Sequence, residues 1–302
     1  MLDYVHLRSS EVDFIIVDGI KKIETNSNKY GRYTKYHLGN LRIKYFEENR
    51  YVTISGSIRQ YYFTKKGKGD EYWKYNLTID NLKEIGCDFK ELGIDLDRLL
   101  IISYEYGPTF KMSNVIHYIE IFNNGILNTY GTSAIKGISK YVIRKDECIS
   151  GASLFRMYSP EIMSKVKKVG EHLEYIRIED YLSKDSKKKL GLTNRTVYSM
   201  LLNESIHHSM KRLLIKKLER ILFIKDIESK DTTFKKNTLF TRSMSIKKNR
   251  IMAEEIAKKY DNNSVSMALY RIRKENEDIA IFNRIKAEIE DVFDYSIRST
   301  NV

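Results

Sequence analysis

Alternation of apolar and polar residues predicts several β-strands in the first two thirds of the chain. The clearest is the run LLIISYEY at 99–106, which the Gly-Pro pair at 107–108 ends. Strict alternation would place Ile101, Ser103 and Glu105 on one face of this strand and Leu100, Ile102, Tyr104 and Tyr106 on the other. A carboxylate inside an apolar strand is costly unless it is paired, solvated or bound to a cation. Glu105 is therefore the first candidate functional residue.

The N-terminal segment carries further strand patterns. Residues 1–8 alternate as an opening strand, and a polar stretch at 24–35 is expected to form a loop. Two strand-like runs follow, at 36–46 and 50–63. The short link between these two runs predicts an antiparallel hairpin.

The pattern becomes helical between residues 78 and 92. Thr78 or Asp80 can cap the start of this helix, and Gly93 can end it. Further along, 153–159 and 174–180 are two more predicted strands, and the segment between them is helix-like. The pattern at 126–150 is ambiguous.

Beyond residue 190 the pattern is helical almost throughout. We therefore predict an α+β protein: an antiparallel sheet with packed helices in 1–189, followed by a mainly helical region in 190–302. Residues 246–275 could form a helix-turn-helix, whose second helix would present Tyr270, Arg271, Arg273 and Lys274 to DNA. A plain helical hairpin is the alternative.

Composition and charge indicate a polyanionic partner. The chain has 302 residues, a net charge of +13 and 22 tyrosines, with lysine-rich runs at 165–168 and 184–189 that include Lys187, Lys188 and Lys189. Phosphates and stackable bases suit such a surface. An acidic membrane surface, or a purely compositional lysine bias, would give the same charge.

Nothing in the sequence suggests export or a membrane span. The first residues lack the pattern of a signal peptide, and no uninterrupted apolar stretch approaches about 20 residues. Two cysteines cannot supply a disulfide framework or a cysteine metal site. We therefore expect a reducing, cytoplasmic setting.

Strand parity brings charged and phenolic side chains to one surface. Arg156 and Tyr158 share a face of their strand, and Arg177 and Glu179 share a face of the next. With Glu105, one sheet could present two carboxylates for a divalent cation, two arginines for phosphates and a tyrosine hydroxyl as a nucleophile. The alternative is a set of ordinary cross-strand ion pairs.

The order of these motifs resembles that of the phage and plasmid rolling-circle replication initiators typified by the filamentous-phage gene II protein. The resemblance covers about the first two thirds of the chain. The motifs that carry it are DYVHL (3–7), YHLGNLRIKY (36–45), VTISGSIRQYY (52–62), NLTIDNLKEI (76–85), LGIDLDRLLIISYEYG (92–107), LFRMYS (154–159) and the stretch 174–201.

The resemblance implies a sheet-based nicking domain related to the HUH endonucleases, in which a tyrosine cuts one DNA strand with the aid of Mg²⁺ or Mn²⁺. Tyr158 would then be the nucleophile, and Glu105 and Glu179 would be the acidic metal-site residues. The family's lysine after the tyrosine is missing here. Lys165 and Lys167 are the nearest lysines that could replace it, and Lys165 is the predicted catalytic one. The family's histidine pair is also missing. A non-catalytic DNA-binding initiator or regulator therefore stays open as the alternative.

Overall fold

The computed structural model describes residues 2–116, 118, 126–127, 133–134, 142–143, 145–146, 155–167, 171–182, 196–218, 221–222 and 278–298. The chain divides into two compact units. Unit 1 comprises Met1–Thr109, Tyr181–Arg212 and Asp291–Val302, and unit 2 comprises Phe110–Asp180 and Leu213–Glu290.

The strands are β1 (Leu2–Ser9), β2 (Ile20–Asn28), β3 (Gly31–Leu38), β4 (Leu41–Phe46), β5 (Tyr51–Ser57), β6 (Leu100–Tyr106), β7 (Thr109–Lys111), β8 (Ile126–Leu127), β9 (Ser133–Ala134), β10 (Val142–Ile143), β11 (Lys145–Asp146), β12 (Phe155–Tyr158), β13 (Tyr175–Leu182) and β14 (Ile221–Leu222). The helices are α1 (Ile58–Lys65), α2 (Ile79–Glu91), α3 (Pro160–Met163), α4 (Glu204–Leu218) and α5 (Asp278–Arg298), with 3-10 turns at Gly69–Lys74 and Tyr198–Leu202.

An antiparallel sheet forms the centre of unit 1. Its strand order is β6-β1-β5-β4-β3-β2, and every neighbouring pair is antiparallel. One face of the sheet is apolar and buried, and includes Val5, Leu7, Ile43 and Ile54. Helix α1 packs beside β1 and also contacts α2. The predicted α+β class is therefore confirmed.

The predicted helix at 78–92 is confirmed as α2, with local signals at both ends. The Thr78 hydroxyl accepts a hydrogen bond from the backbone N–H of Asn81, and the Asn81 side chain accepts one from the backbone N–H of Thr78. This reciprocal pair satisfies two N–H groups that the first helical turn leaves unpaired. Gly93 follows the helix at a φ of +76°, a conformation that favours glycine.

The predicted loop at 24–35 is wrong, because this segment belongs to the β2–β3 hairpin. Strand β2 is the last strand in the order of the unit 1 sheet and is mostly exposed. Because it buries no apolar face, its sequence does not alternate between apolar and polar residues. The predicted run at 36–46 is also divided. Gly39, at a φ of +57°, lies in the tight turn between β3 and β4.

The predicted strand-like run at 50–63 is strand only in its first half. Strand β5 ends at Ser57, whose hydroxyl accepts a hydrogen bond from the backbone N–H of Gln60 at 3.0 Å and so caps α1. A short apolar run has the same composition in a buried strand and in a buried helix, so periodicity alone did not locate this change.

Strand β6 confirms the predicted strand at 99–106 but not its strict alternation. Ile101 pairs with Leu7 and Ser103 pairs with His6, so a β-bulge leaves Ile102 as an extra residue. The bulge moves Ile101 to the buried face, contrary to the prediction. Glu105 is half-buried and remains in alternation with Ser103.

In unit 2, strands β10, β12 and β13 are hydrogen-bonded in that order, and both pairs are antiparallel. Strands β12 and β13 confirm the strands predicted at 153–159 and 174–180. The predicted boundary between residues 189 and 190 and the predicted helix pair at 246–275 lie outside the described residues. Among the described helices, none is both long and apolar enough to cross a membrane.

Candidate functional site

The pairing of β12 with β13 brings predicted site residues to one face. Tyr158 is opposite Arg177, and Arg156 is opposite Glu179. Residues that are directly opposite on antiparallel strands point to the same side of the sheet. The predicted common face is therefore confirmed for Tyr158, Arg177 and Glu179.

Tyr158, Arg177 and Glu179 form a hydrogen-bonded cluster, which we call the Tyr158 cluster. The Tyr158 hydroxyl donates to Oε2 of Glu179 at 2.9 Å, and Nε of Arg177 donates to the same oxygen at 2.7 Å. The exposed fractions are 8% for Tyr158, 0% for Arg177 and 2% for Glu179. A buried guanidinium requires a counter-charge, and Glu179 supplies one.

This arrangement limits the chemistry that each group can perform. A carboxylate that already accepts the phenolic hydrogen bond is placed to take the phenolic proton. The Arg177 guanidinium is fully buried and is engaged by Glu179, so phosphate cannot reach it in this conformation. The cluster thus combines a candidate nucleophile and base with an internal ion pair.

The two predicted metal ligands, Glu105 and Glu179, lie on strands β6 and β13. Glu105 is on β6 in unit 1, and Glu179 is buried in unit 2, where its Oε2 atom accepts from both Tyr158 and Arg177. Within the part of the chain that the structure describes, no group of three His, Cys, Asp or Glu side chains could hold a metal ion. In this structure the Oε2 atom of Glu179 is occupied by Tyr158 and Arg177, and the metal role of Glu105 and Glu179 stays a prediction.

The two candidate lysines have different environments. Lys165 is exposed and has a φ of +60° in the turn after α3. The Nζ atom of Lys167 lies 2.7 Å from Oε1 of Glu161 and donates to the carbonyl oxygen of His172 at 2.7 Å. Lys167 therefore has a structural role, and Lys165 is the more accessible of the two cations.

Sequence reasoning missed Glu161, which organises the start of β13. This carboxylate is buried, and its Oε2 atom accepts hydrogen bonds from the backbone N–H groups of Glu174 and Tyr175 at 2.8 and 3.0 Å. Its position next to a proline in the first turn of a short helix was the available signal. Glu161 therefore fixes the strand that carries Arg177 and Glu179.

Sequence reasoning also missed a buried ion pair in unit 1. Arg59 on α1 lies 2.7 Å from the carboxylate of Asp3 on β1, and it donates to the Thr109 hydroxyl at 3.1 Å. Its guanidinium carbon is 5.6 Å from the centre of the Tyr72 ring. The available signal was that Asp3 shares its strand face with the apolar residues Val5 and Leu7.

The remaining predicted nucleic-acid contacts are not tested by the described residues. For Arg156 only the backbone position in β12 is described. The other predicted contacts lie outside the described residues: Lys187, Lys188, Lys189, Arg271, Arg273 and Lys274.

Comparisons with known proteins give one structural likeness. No protein-family model matches the chain, and no curated protein sequence matches it. A solved structure described as a rolling-circle replication initiator protein from Geobacillus stearothermophilus aligns with 81% of this chain and 93% of its own, at 12% sequence identity and a TM-score of 0.36. Similarity at this level carries no argument about function.

Proposed function

We propose that this chain is a DNA-binding replication initiator of a phage or plasmid, which nicks one DNA strand through Tyr158. The observation that carries the nicking proposal is the 2.9 Å hydrogen bond from the Tyr158 hydroxyl to the Glu179 carboxylate. The net charge of +13 supports a polyanionic partner.

In the proposed reaction, Tyr158 transfers its phenolic proton to Glu179 as its oxygen attacks a backbone phosphorus atom. The bond from phosphorus to Oη of Tyr158 forms while the bond to the 3′ oxygen breaks, and the released 3′ oxygen takes a proton from water. The product is a 5′-phosphotyrosyl adduct with a free 3′ hydroxyl. Because Tyr158 is 8% exposed, this reaction requires the cluster to open toward the DNA.

The proposal includes Mg²⁺ or Mn²⁺ as the expected metal, which would supply Lewis-acid stabilisation of the phosphate charge. Glu105 and Glu179 remain the proposed acidic groups, and Lys165 is the proposed accessible cation near Tyr158 in sequence. For Glu179 to bind a metal ion, its contact with Arg177 would have to break. The dependence of nicking on metal is therefore tested separately, by comparing the reaction in Mn²⁺ with the reaction in a chelator.

A second candidate is a non-catalytic DNA-binding initiator or regulator. The burial of Arg177 and Glu179 favours it, because two charged groups that are at most 2% exposed form an internal ion pair. In that case the Tyr158 cluster stabilises the β12–β13 pair, and DNA is held elsewhere on the surface.

The deciding experiment incubates the full chain with supercoiled DNA of the replicon that encodes it, with Mn²⁺ or with a chelator. Nicked circles and a denaturant-resistant protein–DNA adduct are measured. The control for Tyr158→Phe is Tyr118→Phe, because Tyr118 is also a buried tyrosine of unit 2.

An adduct in the wild type and in Tyr118→Phe, but not in Tyr158→Phe, would support nicking by Tyr158. An undiminished adduct in Tyr158→Phe would exclude this nucleophile. Salt-dependent DNA binding without any adduct would support the non-catalytic candidate, and absence of DNA binding near physiological salt would contradict both.

A further inference from the structure

The second face of the unit 1 sheet, opposite the apolar core, carries basic residues in register. One cross-strand row runs from His6 through Ser55 and Arg42 to His37 and Lys21. A neighbouring row consists of Arg8, Thr53, Lys44, Lys35 and Glu24. We call this surface, defined by these two rows, the open face.

The cations of the open face are accessible and mostly lack a counter-charge. Arg8, Arg42 and Lys44 are exposed, and no carboxylate of the described residues lies within ion-pair distance of them. By contrast, Lys35 forms an ion pair with Glu24 at the β2 edge. The centre of the open face is therefore positively charged.

The electrostatics of His6 support this description. Partial burial lowers the pKa of His6, and the positive charges of Arg8 and Lys44 lower it further. Lys44 is also close to an aromatic ring, since its Nζ atom lies 5.3 Å from the centre of the Tyr33 ring. Positive charge thus accumulates over the strands β1 and β4.

The shape of the open face suits a flexible strand more than a duplex. Between the cations lie the short side chains of Ser55 and Thr53, which allow a ligand backbone to approach the sheet. Tyr4, which is 44% exposed, continues the same alternation as His6 and Arg8 and offers a ring for base stacking. The rows belong to one continuous sheet, and neither supplies a helix or ribbon of the kind that enters a DNA groove.

We propose that the open face binds single-stranded DNA, with Arg8, Arg42 and Lys44 contacting phosphates and Tyr4 stacking on a base. This inference rests on the proposed function and assigns its DNA contacts to residues of β1 and β4. The charge complementarity carries it, because exposed cations without counter-charges bind polyanions by releasing condensed counterions.

The test measures the binding of a fluorescent single-stranded oligonucleotide to the full chain over a range of salt concentrations. The variant Arg42→Gln with Lys44→Gln removes two charges from the open face. The matched control, Lys83→Gln with Lys90→Gln, removes two exposed charges from α2. Each phosphate contact with a single strand contributes about 0.7 to the slope of log affinity against log salt, so the first variant should lower the slope by about 1.4.

We expect weaker binding and the reduced slope in the open-face variant and neither change in the α2 control. Equal effects of the two double variants would overturn this inference while leaving the initiator proposal intact. Failure of the wild type to bind any DNA would overturn both proposals. Tighter binding of the wild type to a duplex than to the single strand would overturn the assignment of single-stranded DNA. So would an open-face variant that loses binding to phosphatidylserine vesicles but not to the oligonucleotide.

Discussion

Removing the charge of Glu179 tests whether this carboxylate is the counter-charge of Arg177. The variant Glu179→Gln keeps the shape of the side chain but leaves a guanidinium that is 0% exposed without the charge that lies 2.7 Å from its Nε atom. Breaking a buried ion pair from one side costs about 3–5 kcal/mol. Such a loss is a large part of the roughly 5–15 kcal/mol that stabilises a typical domain.

Urea denaturation, followed by far-UV circular dichroism, measures this loss. The charge-matched control is Glu171→Gln, an exposed position in the same unit, for which we expect a change within about 0.5 kcal/mol. Tyr158→Phe removes one hydrogen bond to the same carboxylate and should cost about 1–3 kcal/mol. A loss in Glu179→Gln no larger than in Glu171→Gln would refute the counter-charge role.

Three further predictions concern unit 1. Asp3→Asn should destabilise the unit by about 3 kcal/mol, because it removes the carboxylate that pairs with buried Arg59. The fluorescence of buried Trp73 measures the resulting shift in the urea midpoint. An unchanged midpoint would contradict the pairing. Thr78→Ala should cost about 1 kcal/mol through loss of the α2 cap, whereas Thr78→Ser should retain most of that stability. Burial lowers the pKa of His207 to about 4 from the ordinary value of 6.5. Below about pH 6.5 the unfolded chain therefore binds a proton at this side chain, whereas the folded chain binds it only near pH 4. Stability should therefore fall as the pH drops through this window, and an NMR titration that gave a pKa near 6.5 would contradict the prediction.

The parts predicted correctly depend on local sequence. The Thr78 cap and the Gly93 stop act within a few residues of their own helix, so α2 could be located from the chain alone. Alternation with a period of two also assigned Arg177 and Glu179 to one face, because this parity is a property of a single extended strand. The β-bulge in β6 broke the same rule at Ile101, since pairing with β1 inserted an extra residue there.

Other features depended on partners far away in the chain. The β2–β3 hairpin was missed because an exposed edge strand needs no apolar face. The sequence placed Asp3 on an apolar face but could not identify Arg59 as its partner, because this contact depends on α1 packing beside β1. In the same way, Glu161 contacts the backbone of a strand that begins 14 residues later.

The sequence by itself determined the α+β class, the basic charge and the face that Arg177 and Glu179 share. Only the tertiary structure decided that the Tyr158 cluster is buried, and that β5 lies between β1 and β4 so that Arg8, Thr53 and Lys44 align in one row. The physical reason is that hydrogen bonding and apolar burial between distant segments select strand neighbours and register, and a single strand's pattern contains neither.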